Sequence, residues 1–255
     1  MQFDLSDVDE GEYEDYAIGE VIFTQGEAAS SMYLVVEGSV RLLIAGKEVA
    51  VVEEGGVMGE MSLLDGSPRS ALAEAADDCR MLPIDRGLFR QMVSKNPEFA
   101  RLVLGTMAHR LRRMNIAAGG TGGEHVDITA RDATGALDLT SLGHLKTTFP
   151  AGATIFEEGA DGDHMYLVQS GSVEVRVAGK TVHTVDTGGF FGEMALVEEA
   201  PRSASAVAET ECHLMPIDRQ RFEYLIAKTP DFIIEMMRVM AARLRQMNRF
   251  SRTED

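Results

Sequence analysis

Residues 188–210 read GGFFGEMALVEEAPRSASAVAET, and this pattern determines how the rest of the chain is interpreted. Two glycines lead to a Gly-Glu pair, an apolar turn follows, and a single Arg arrives directly behind a Pro. Residues 55–77, GGVMGEMSLLDGSPRSALAEAAD, repeat the pattern. A surface turn with solvated charges would not be expected to recur with the same spacing, so the pattern indicates a repeated functional unit.

A constant offset of 133 residues (192 − 59) relates the two halves of the chain. It links these pairs: Gly59 and Gly192, Tyr33 and Tyr166, Gly38 and Gly171, Arg69 and Arg202, Pro83 and Pro216. The match extends from IGEVIFTQGE (18–27) against AGATIFEEGA (151–160) to RLRRMN (110–115) against RLRQMN (243–248). This period is too long for a solenoid, so we expect two domains, each with its own core.

The offset divides the chain into five segments. They are an acidic N-terminal lead (1–16), a first domain (17–116), a glycine-rich flexible linker with a lead-in (117–136), a second domain (137–250) and a C-terminal tail (251–255). The linker assignment rests on two Gly pairs, which interrupt any helix, and on little apolar surface.

Each copy is predicted to have β-strands in its N-terminal half and α-helices in its C-terminal half. Runs such as SMYLVVEGSVRLLIAGKEVAVVEEGG (31–56) alternate short apolar strands with turn signals, which favours a small antiparallel barrel or sandwich. Asn96-Pro97-Glu98 and Thr229-Pro230-Asp231 each offer a cap, a first-turn Pro and an acid. Apolar residues then follow at the spacing of an amphipathic helix: Phe99, Leu102, Val103, Met107, Leu111 and Met114, then Phe232, Met236, Met240, Leu244 and Met247.

Composition excludes several classes of partner. The formal net charge of −17 repels nucleic acid and anionic membrane surfaces. No apolar run approaches the roughly 20 residues that cross a bilayer, and the N-terminus is acidic, unlike a secretion signal. We therefore expect a cytoplasmic protein that binds neither nucleic acid nor membrane. Cys79 and Cys212 occupy equivalent places in the two copies and are expected to be buried free thiols.

The residue types of the repeated pattern indicate an anion site. A Gly-Glu pair that begins a short helix leaves backbone N–H groups at the positive end of the helix dipole. An Arg returning from the next turn, Arg69 or Arg202, adds a fork that fits two phosphate oxygens. The neighbouring carboxylate then needs a donor from the ligand, and a sugar hydroxyl supplies one. Because the Gly-rich Lys loop of triphosphate sites is missing, the expected ligand is a cyclic mononucleotide.

The stretch FGEMALVEEAPRSAS (191–205) resembles the phosphate-binding cassette of the cyclic nucleotide-binding domain, the domain of the catabolite activator protein and of cAMP-dependent protein kinase regulatory subunits. The resemblance covers nearly the whole chain, twice. It implies a mainly β fold with flanking helices: two tandem jelly-roll-like barrels, each followed by amphipathic helices. It also implies that the Glu holds the ribose 2′-hydroxyl, the Arg holds the cyclic phosphate, and amides around the small residue after the Glu complete the phosphate site.

Carried over by motif, the binding residues are Gly59, Glu60, Met61, Ser62, Arg69, Ser70 and Ala71 in the first copy, and Gly192, Glu193, Met194, Ala195, Arg202, Ser203 and Ala204 in the second. The first copy departs at Met58, where the second has Phe191, and at Ser62, where it has Ala195. Neither change removes a polar contact, so both sites are expected to bind. The Ser after each Arg does not decide between cAMP and cGMP as the ligand, and cAMP is the preferred expectation.

Enzyme and metal functions find no support in the sequence. The six histidines, His109, His125, His144, His164, His183 and His213, show no metal-binding spacing, and no nucleophile motif is present. No catalytic residue, metal or cofactor is therefore predicted; the nucleotide is a ligand. The Met-rich stripe Met236, Met237, Met240 and Met247 is interpreted as core rather than as a partner surface.

Two functional classes remain open. One is a sensor in which ligand shifts the helices after each barrel and so signals to an unidentified protein effector; residues 249–255 leave no room for a DNA-binding domain, and no catalytic domain is expected. The other is a ligand-independent adaptor built on the same fold. The oligomeric state is also open, because the amphipathic terminal helices could pack on their own barrel or on a second chain in a homodimer.

Overall fold

Sixteen short strands and six helices make up the part of the chain that the structure, a computed structural model, describes: residues 12–118 and 146–250, with side chains of 116–118 and 247–250 excepted. The chain divides into two units, Met1–Thr106 and Met107–Asp255. Residues 1–11 of the acidic lead, the linker from residue 119 onward, His125, His144, the side chain of Met247 and the tail 251–255 lie outside the described residues.

The first unit places eight strands in two four-stranded antiparallel sheets. The strands are β1 (Glu14–Tyr16), β2 (Val21–Phe23), β3 (Ser31–Glu37), β4 (Ser39–Ile44), β5 (Lys47–Glu53), β6 (Val57–Met58), β7 (Leu72–Ala75) and β8 (Cys79–Asp85). One sheet has the order β1-β8-β3-β6 and the other β2-β7-β4-β5. The helices are α1 (Glu60–Asp65), inserted between β6 and β7, then α2 (Arg86–Lys95) and α3 (Pro97–Ala118), which continues into the second unit.

The second unit repeats this arrangement. Its strands are β9 (Thr147–Phe149), β10 (Thr154–Phe156), β11 (His164–Ser170), β12 (Val173–Val177), β13 (Lys180–Val185), β14 (Phe190–Phe191), β15 (Ser205–Ala208) and β16 (Cys212–Asp218). They form sheets of order β9-β16-β11-β14 and β10-β15-β12-β13. The helices are α4 (Glu193–Glu198), between β14 and β15, α5 (Arg219–Lys228) and α6 (Pro230–Phe250).

The core of each barrel lies between its two sheets and is built from equivalent residues. Inward-facing side chains alternate with outward-facing ones along the strands, as expected for a sheet with one buried face. The shared core positions are Val35, Val40, Ala73, Cys79 and Met81 in the first unit, and Val168, Val173, Ala206, Cys212 and Leu214 in the second. The prediction of two mainly β barrels with helices after each is confirmed.

The helices pack as the apolar spacing predicted. Met236, Met237 and Met240 are fully buried, which confirms that this stripe belongs to the core. Both cysteines are free and buried, also as expected. Asn96 caps α3, because its side-chain oxygen accepts from the backbone N–H of Glu98 at 3.0 Å.

Three local features refine the expectations. The hydroxyl of Thr229, the expected cap of α6, donates to the carbonyl of Leu225 at 2.7 Å and so contacts the end of α5. Strand β1 begins at Glu14 and pairs with β8, so the first barrel starts inside the segment assigned to the acidic lead. Helix α3 continues to Ala118, past the expected domain end at residue 116, because no helix-breaking residue occurs before Gly119.

Within residues 12–118 and 146–250, no helix is both long and apolar enough to span a membrane. Over the same ranges, no group of three or more His, Cys, Asp or Glu side chains is arranged to hold a metal ion.

Candidate functional site

Each unit carries one cassette at a sharp strand-to-helix turn. The first cassette comprises residues 59–71 and the second residues 192–204. Gly59 and Gly192 occupy the N-cap positions of the two short helices and adopt left-handed backbone conformations, with φ of 77° and 80°. A Cβ at Gly192 would lie 2.8 Å from Nη1 of Arg202, so glycine is required both for the backbone conformation and for the close approach of the Arg.

The two Arg residues are buried, and backbone carbonyls hold them in the same way. Arg69 donates from Nη1 to the carbonyl of Ser31 at 2.7 Å and to that of Gly59 at 3.2 Å. Arg202 donates from Nη1 to the carbonyl of Gly192 at 2.9 Å and from Nη2 to that of His164 at 2.6 Å. Each guanidinium group is therefore fixed in position by the turn that precedes the short helix and by the first residue of β3 or β11.

An aromatic ring supports each guanidinium group. Cζ of Arg69 lies 4.1 Å from the ring centre of Phe23, and Cζ of Arg202 lies 4.0 Å from that of Phe156. This cation–π geometry is stabilising when it is desolvated. Phe23 and Phe156 stand in the equivalent runs IGEVIF and AGATIF, but their relation to the Arg could not be inferred because the contact joins distant parts of the chain.

Each Arg keeps one donor available for an anion. Among the described residues, the buried Nε of Arg69 and that of Arg202 have no hydrogen-bond acceptor. Burial lowers the pKa of both guanidinium groups. The charges of neighbouring groups raise it and so oppose this shift, and Tyr33 or Tyr166 contributes the largest opposing effect. Arg nevertheless remains charged at neutral pH, because its ordinary pKa lies far above neutrality. A buried cation with a spare donor is suited to a phosphate oxygen.

The predicted ribose-binding carboxylates lie beside the Arg residues and are also buried. Glu60 is 0% exposed and Glu193 is 2% exposed. Glu193 accepts a hydrogen bond from Nη1 of Arg243 at 2.7 Å, and Nη2 of the same Arg donates to the carbonyl of Phe190 at 2.5 Å. Arg243 is on α6, so the second cassette is connected directly to the C-terminal helix.

The remaining predicted residues fall in the same two clusters. Met61, Ser62, Ala71, Ala195 and Ala204 are buried, while Ser70, Met194 and Ser203 are partly exposed. The hydroxyl of Ser203 donates to the sulfur of Met194 at 3.4 Å, and that of Ser70 to the sulfur of Met61 at 3.9 Å. The structure thus brings all the predicted residues of each copy together, one cluster in each unit.

The second cassette has an acid near its Arg that the first lacks. Oδ1 of Asp163 and Nδ1 of His164 lie 2.7 Å apart, within hydrogen-bonding distance, and the first copy has Ser30 and Ser31 at these positions. The hydrogen bond from His164 is the main cause that lowers the pKa of Asp163, and the charge of Arg202 contributes in the same direction. The electrostatic surroundings of the two Arg residues therefore differ.

Comparison with known proteins agrees with this geometry. The family model of the cyclic nucleotide-binding domain matches residues 13–96 and 146–229, one barrel and cassette in each segment. A cAMP-dependent protein kinase regulatory subunit of Yarrowia lipolytica is 29% identical over 221 residues, covering 85% of this chain and 54% of that relative. The regulatory subunit of Aspergillus fumigatus is 31% identical over 229 residues, covering 83% of this chain and 51% of the relative.

The chain thus spans about half the length of the curated relatives it matches. Among solved structures, the regulatory domain of Toxoplasma gondii PKA, crystallised with cAMP, is 23% identical, with 89% of each chain covered and a TM-score of 0.34. The two segments matched by the family model make up more than half of the 255 residues. The chain therefore belongs to the cyclic nucleotide-binding domain family, with two copies of the domain in tandem.

Proposed function

We propose that the chain is a cyclic-nucleotide sensor with one ligand site in each cassette, and that cAMP is preferred over cGMP. The observation that carries the proposal is the buried Arg of each cassette, which is held by carbonyls and a ring yet keeps its Nε donor available. The names of the relatives, cAMP-dependent protein kinase regulatory subunits, support the choice of cAMP.

The proposed contacts follow from the chemistry of each group. The Nε donors of Arg69 and Arg202 would bind the cyclic phosphate, together with first-turn amides of the short helices, since those amides have no intrahelical acceptors in an α-helix. Glu60 and Glu193 would accept from the ribose 2′-hydroxyl. Each Ser after the Arg would contact the phosphate or the base edge in place of the Met sulfur.

Signalling would use the connection between the second cassette and α6. Arg243 connects Glu193 and Phe190 to this helix, and the ring of Phe190 lies 6.5 Å from that of Phe232 at the start of the helix. A ribose hydroxyl on Glu193 would compete with Arg243 for the carboxylate, so ligand would favour one position of α6 over another. The proposed effector is a protein, and a kinase catalytic subunit is the candidate that the relatives suggest.

Calorimetric titration of the nucleotide-stripped chain with cAMP, and separately with cGMP, tests the proposal. The wild type is expected to bind two equivalents of cAMP, and Arg69→Ala and Arg202→Ala are each expected to lose one. Arg238→Ala is the matched control, because this Arg on α6 is exposed and pairs at 3.0 Å with Glu235 of the same helix.

The outcomes separate the candidate functions. Loss of one site per cassette variant, with two sites in the control, supports the sensor. One site in the wild type assigns the silent copy a structural role. Absence of binding to folded, stripped protein contradicts the proposal and leaves the adaptor. Hydrogen exchange of residues 230–246 with and without cAMP tests the signalling step, which requires a change in α6.

A further inference from the structure

The second cassette is held by a residue that its own sequence motif does not contain. Arg112 lies in the part of α3 that belongs to the second unit, which begins at Met107. Its Nε donates to Oε2 of Glu198 at 2.5 Å, and its Nη1 donates to the carbonyl of Pro201 at 2.9 Å. The side chains of Arg112 and Glu198 are only 20% and 12% exposed, so this ion pair is largely shielded from water.

The two contacts enclose the turn that delivers the phosphate-binding Arg. Glu198 is the last residue of α4, and Pro201 immediately precedes Arg202. Between them, Glu199 adopts φ of 52°, a left-handed conformation that is unfavourable for a residue with a Cβ. The Arg112 guanidinium group therefore contacts both ends of a strained four-residue turn, in which Glu199 also pairs with Arg219 at 2.7 Å.

The equivalent turn of the first cassette contains a local hydrogen bond and a glycine. Oδ1 of Asp65 accepts from the backbone N–H of Ser67 at 2.9 Å, and Gly66 occupies the left-handed position, with φ of 70°, without the penalty of a Cβ. The second copy has Glu198, Glu199 and Ala200 at these positions. Glycine is replaced there, and the acid at the helix end is directed to Arg112 rather than to its own turn.

We propose that Arg112 is a positioning residue for the second nucleotide site. It holds the Glu198–Pro201 turn so that Arg202 presents its guanidinium group to the phosphate. The proposal rests on the proposed function for its effect on affinity. Its structural part, that Arg112 orders this turn, does not depend on any ligand.

Binding to the second site alone measures the effect on affinity. In an Arg69→Ala background of the full chain, Arg112→Ala is expected to weaken cAMP binding roughly tenfold, the effect of losing a charge-assisted hydrogen bond. Arg112→Lys keeps the pair with Glu198 but cannot bridge to Pro201, so it is expected to fall between wild type and Ala. In an Arg202→Ala background, Arg112→Ala is expected to leave the affinity of the first site unchanged.

Arg113→Ala is the matched control, because this neighbouring residue on α3 is exposed. Glu198→Ala removes the ion pair but leaves the hydrogen bond from Arg112 to Pro201, so its effect is expected to be no larger than that of Arg112→Ala. The double variant is expected to be little worse than Arg112→Ala, because that variant already removes the shared contact. A second-site affinity for Arg112→Ala within twofold of the Arg113→Ala control would overturn the proposal.

Amide hydrogen exchange separates this proposal from the proposed function. Without ligand, Arg112→Ala is expected to accelerate exchange at residues 198–202 and to leave residues 65–69 unchanged. If the wild type binds no cAMP, the proposed function fails, while this measurement still tests the ordering of the turn. Unchanged exchange at residues 198–202 would refute the positioning role.

Discussion

Replacing Gly192 with Ala separates two costs that the structure assigns to this position. The first is the left-handed backbone, with φ of 80°, where a Cβ costs roughly 1–2 kcal/mol. The second is the position of the new Cβ, 2.8 Å from Nη1 of Arg202 and 3.4 Å from the carbonyl of His164. Since the atom at 2.8 Å ends a side chain, the guanidinium group is expected to move rather than the backbone.

Gly179 provides a matched control for the backbone cost. It has φ of 78°, and nothing lies within 4 Å of a Cβ built on it. Gly179→Ala is therefore expected to lower the free energy of unfolding by roughly 1–2 kcal/mol, and Gly192→Ala by at least as much, because it also disturbs the hydrogen bonds of Arg202. Only Gly192→Ala displaces Arg202, and the weakened charge-assisted hydrogen bonds predict at least a roughly tenfold loss of cAMP affinity at the second site.

Thermal unfolding and calorimetric titration in an Arg69→Ala background measure the two effects separately. The prediction is a shared loss of stability and an affinity loss confined to Gly192→Ala. Wild-type affinity in Gly192→Ala would refute the claim that the close approach of Arg202 to Gly192 supports binding. An equal affinity loss in Gly179→Ala would show that backbone strain alone is responsible.

Three further predictions test other parts of the structure. Glu199→Gly relieves the left-handed strain and removes only an exposed pair with Arg219, so it is expected to stabilise the second unit by up to about 1 kcal/mol, measured as a higher Tm. A lower Tm would contradict this expectation. Arg243→Met leaves the buried Glu193 charge uncompensated and is expected to cost about 3 kcal/mol in chemical denaturation, with recovery when Glu193→Gln is added. Burial raises the pKa of the Cys79 and Cys212 thiols, so both should react with a disulfide reagent at pH 8 only after unfolding.

The sequence predicted the parts of the fold that depend on local pattern. Alternating apolar strands, turn signals and helical spacing located the barrels and the helices, and the 133-residue offset aligned both cassettes. The predicted site residues cluster because they lie in one continuous motif. The sequence did not predict the hydrogen bond from Thr229 back to α5, because a Thr hydroxyl can donate to the preceding helix and the sequence alone does not determine whether it does.

Contacts between distant segments could not be inferred in this way. Arg243 reaches Glu193 only because α6 packs beside β14, and the ring of Phe156 lies under Arg202 only because β10 pairs with β15. Basic residues near the end of a helix are ordinarily explained by the negative end of the helix dipole, so they do not by themselves indicate a contact with a cassette. The same holds for Arg112, because RLRRMN and RLRQMN both contain an Arg at this position and the repeat does not reveal its partner.

The central claim is that both cassettes bind cAMP, and equilibrium dialysis tests it most directly. Folded protein, stripped of nucleotide and dialysed against labelled cAMP at saturating concentration, should hold two moles of cAMP per mole of chain. Combining Arg69→Ala with Arg202→Ala should abolish this binding and leave the fold intact. No bound cAMP on folded wild-type protein would contradict the account, and full binding by the double variant would contradict the role given to the two Arg residues.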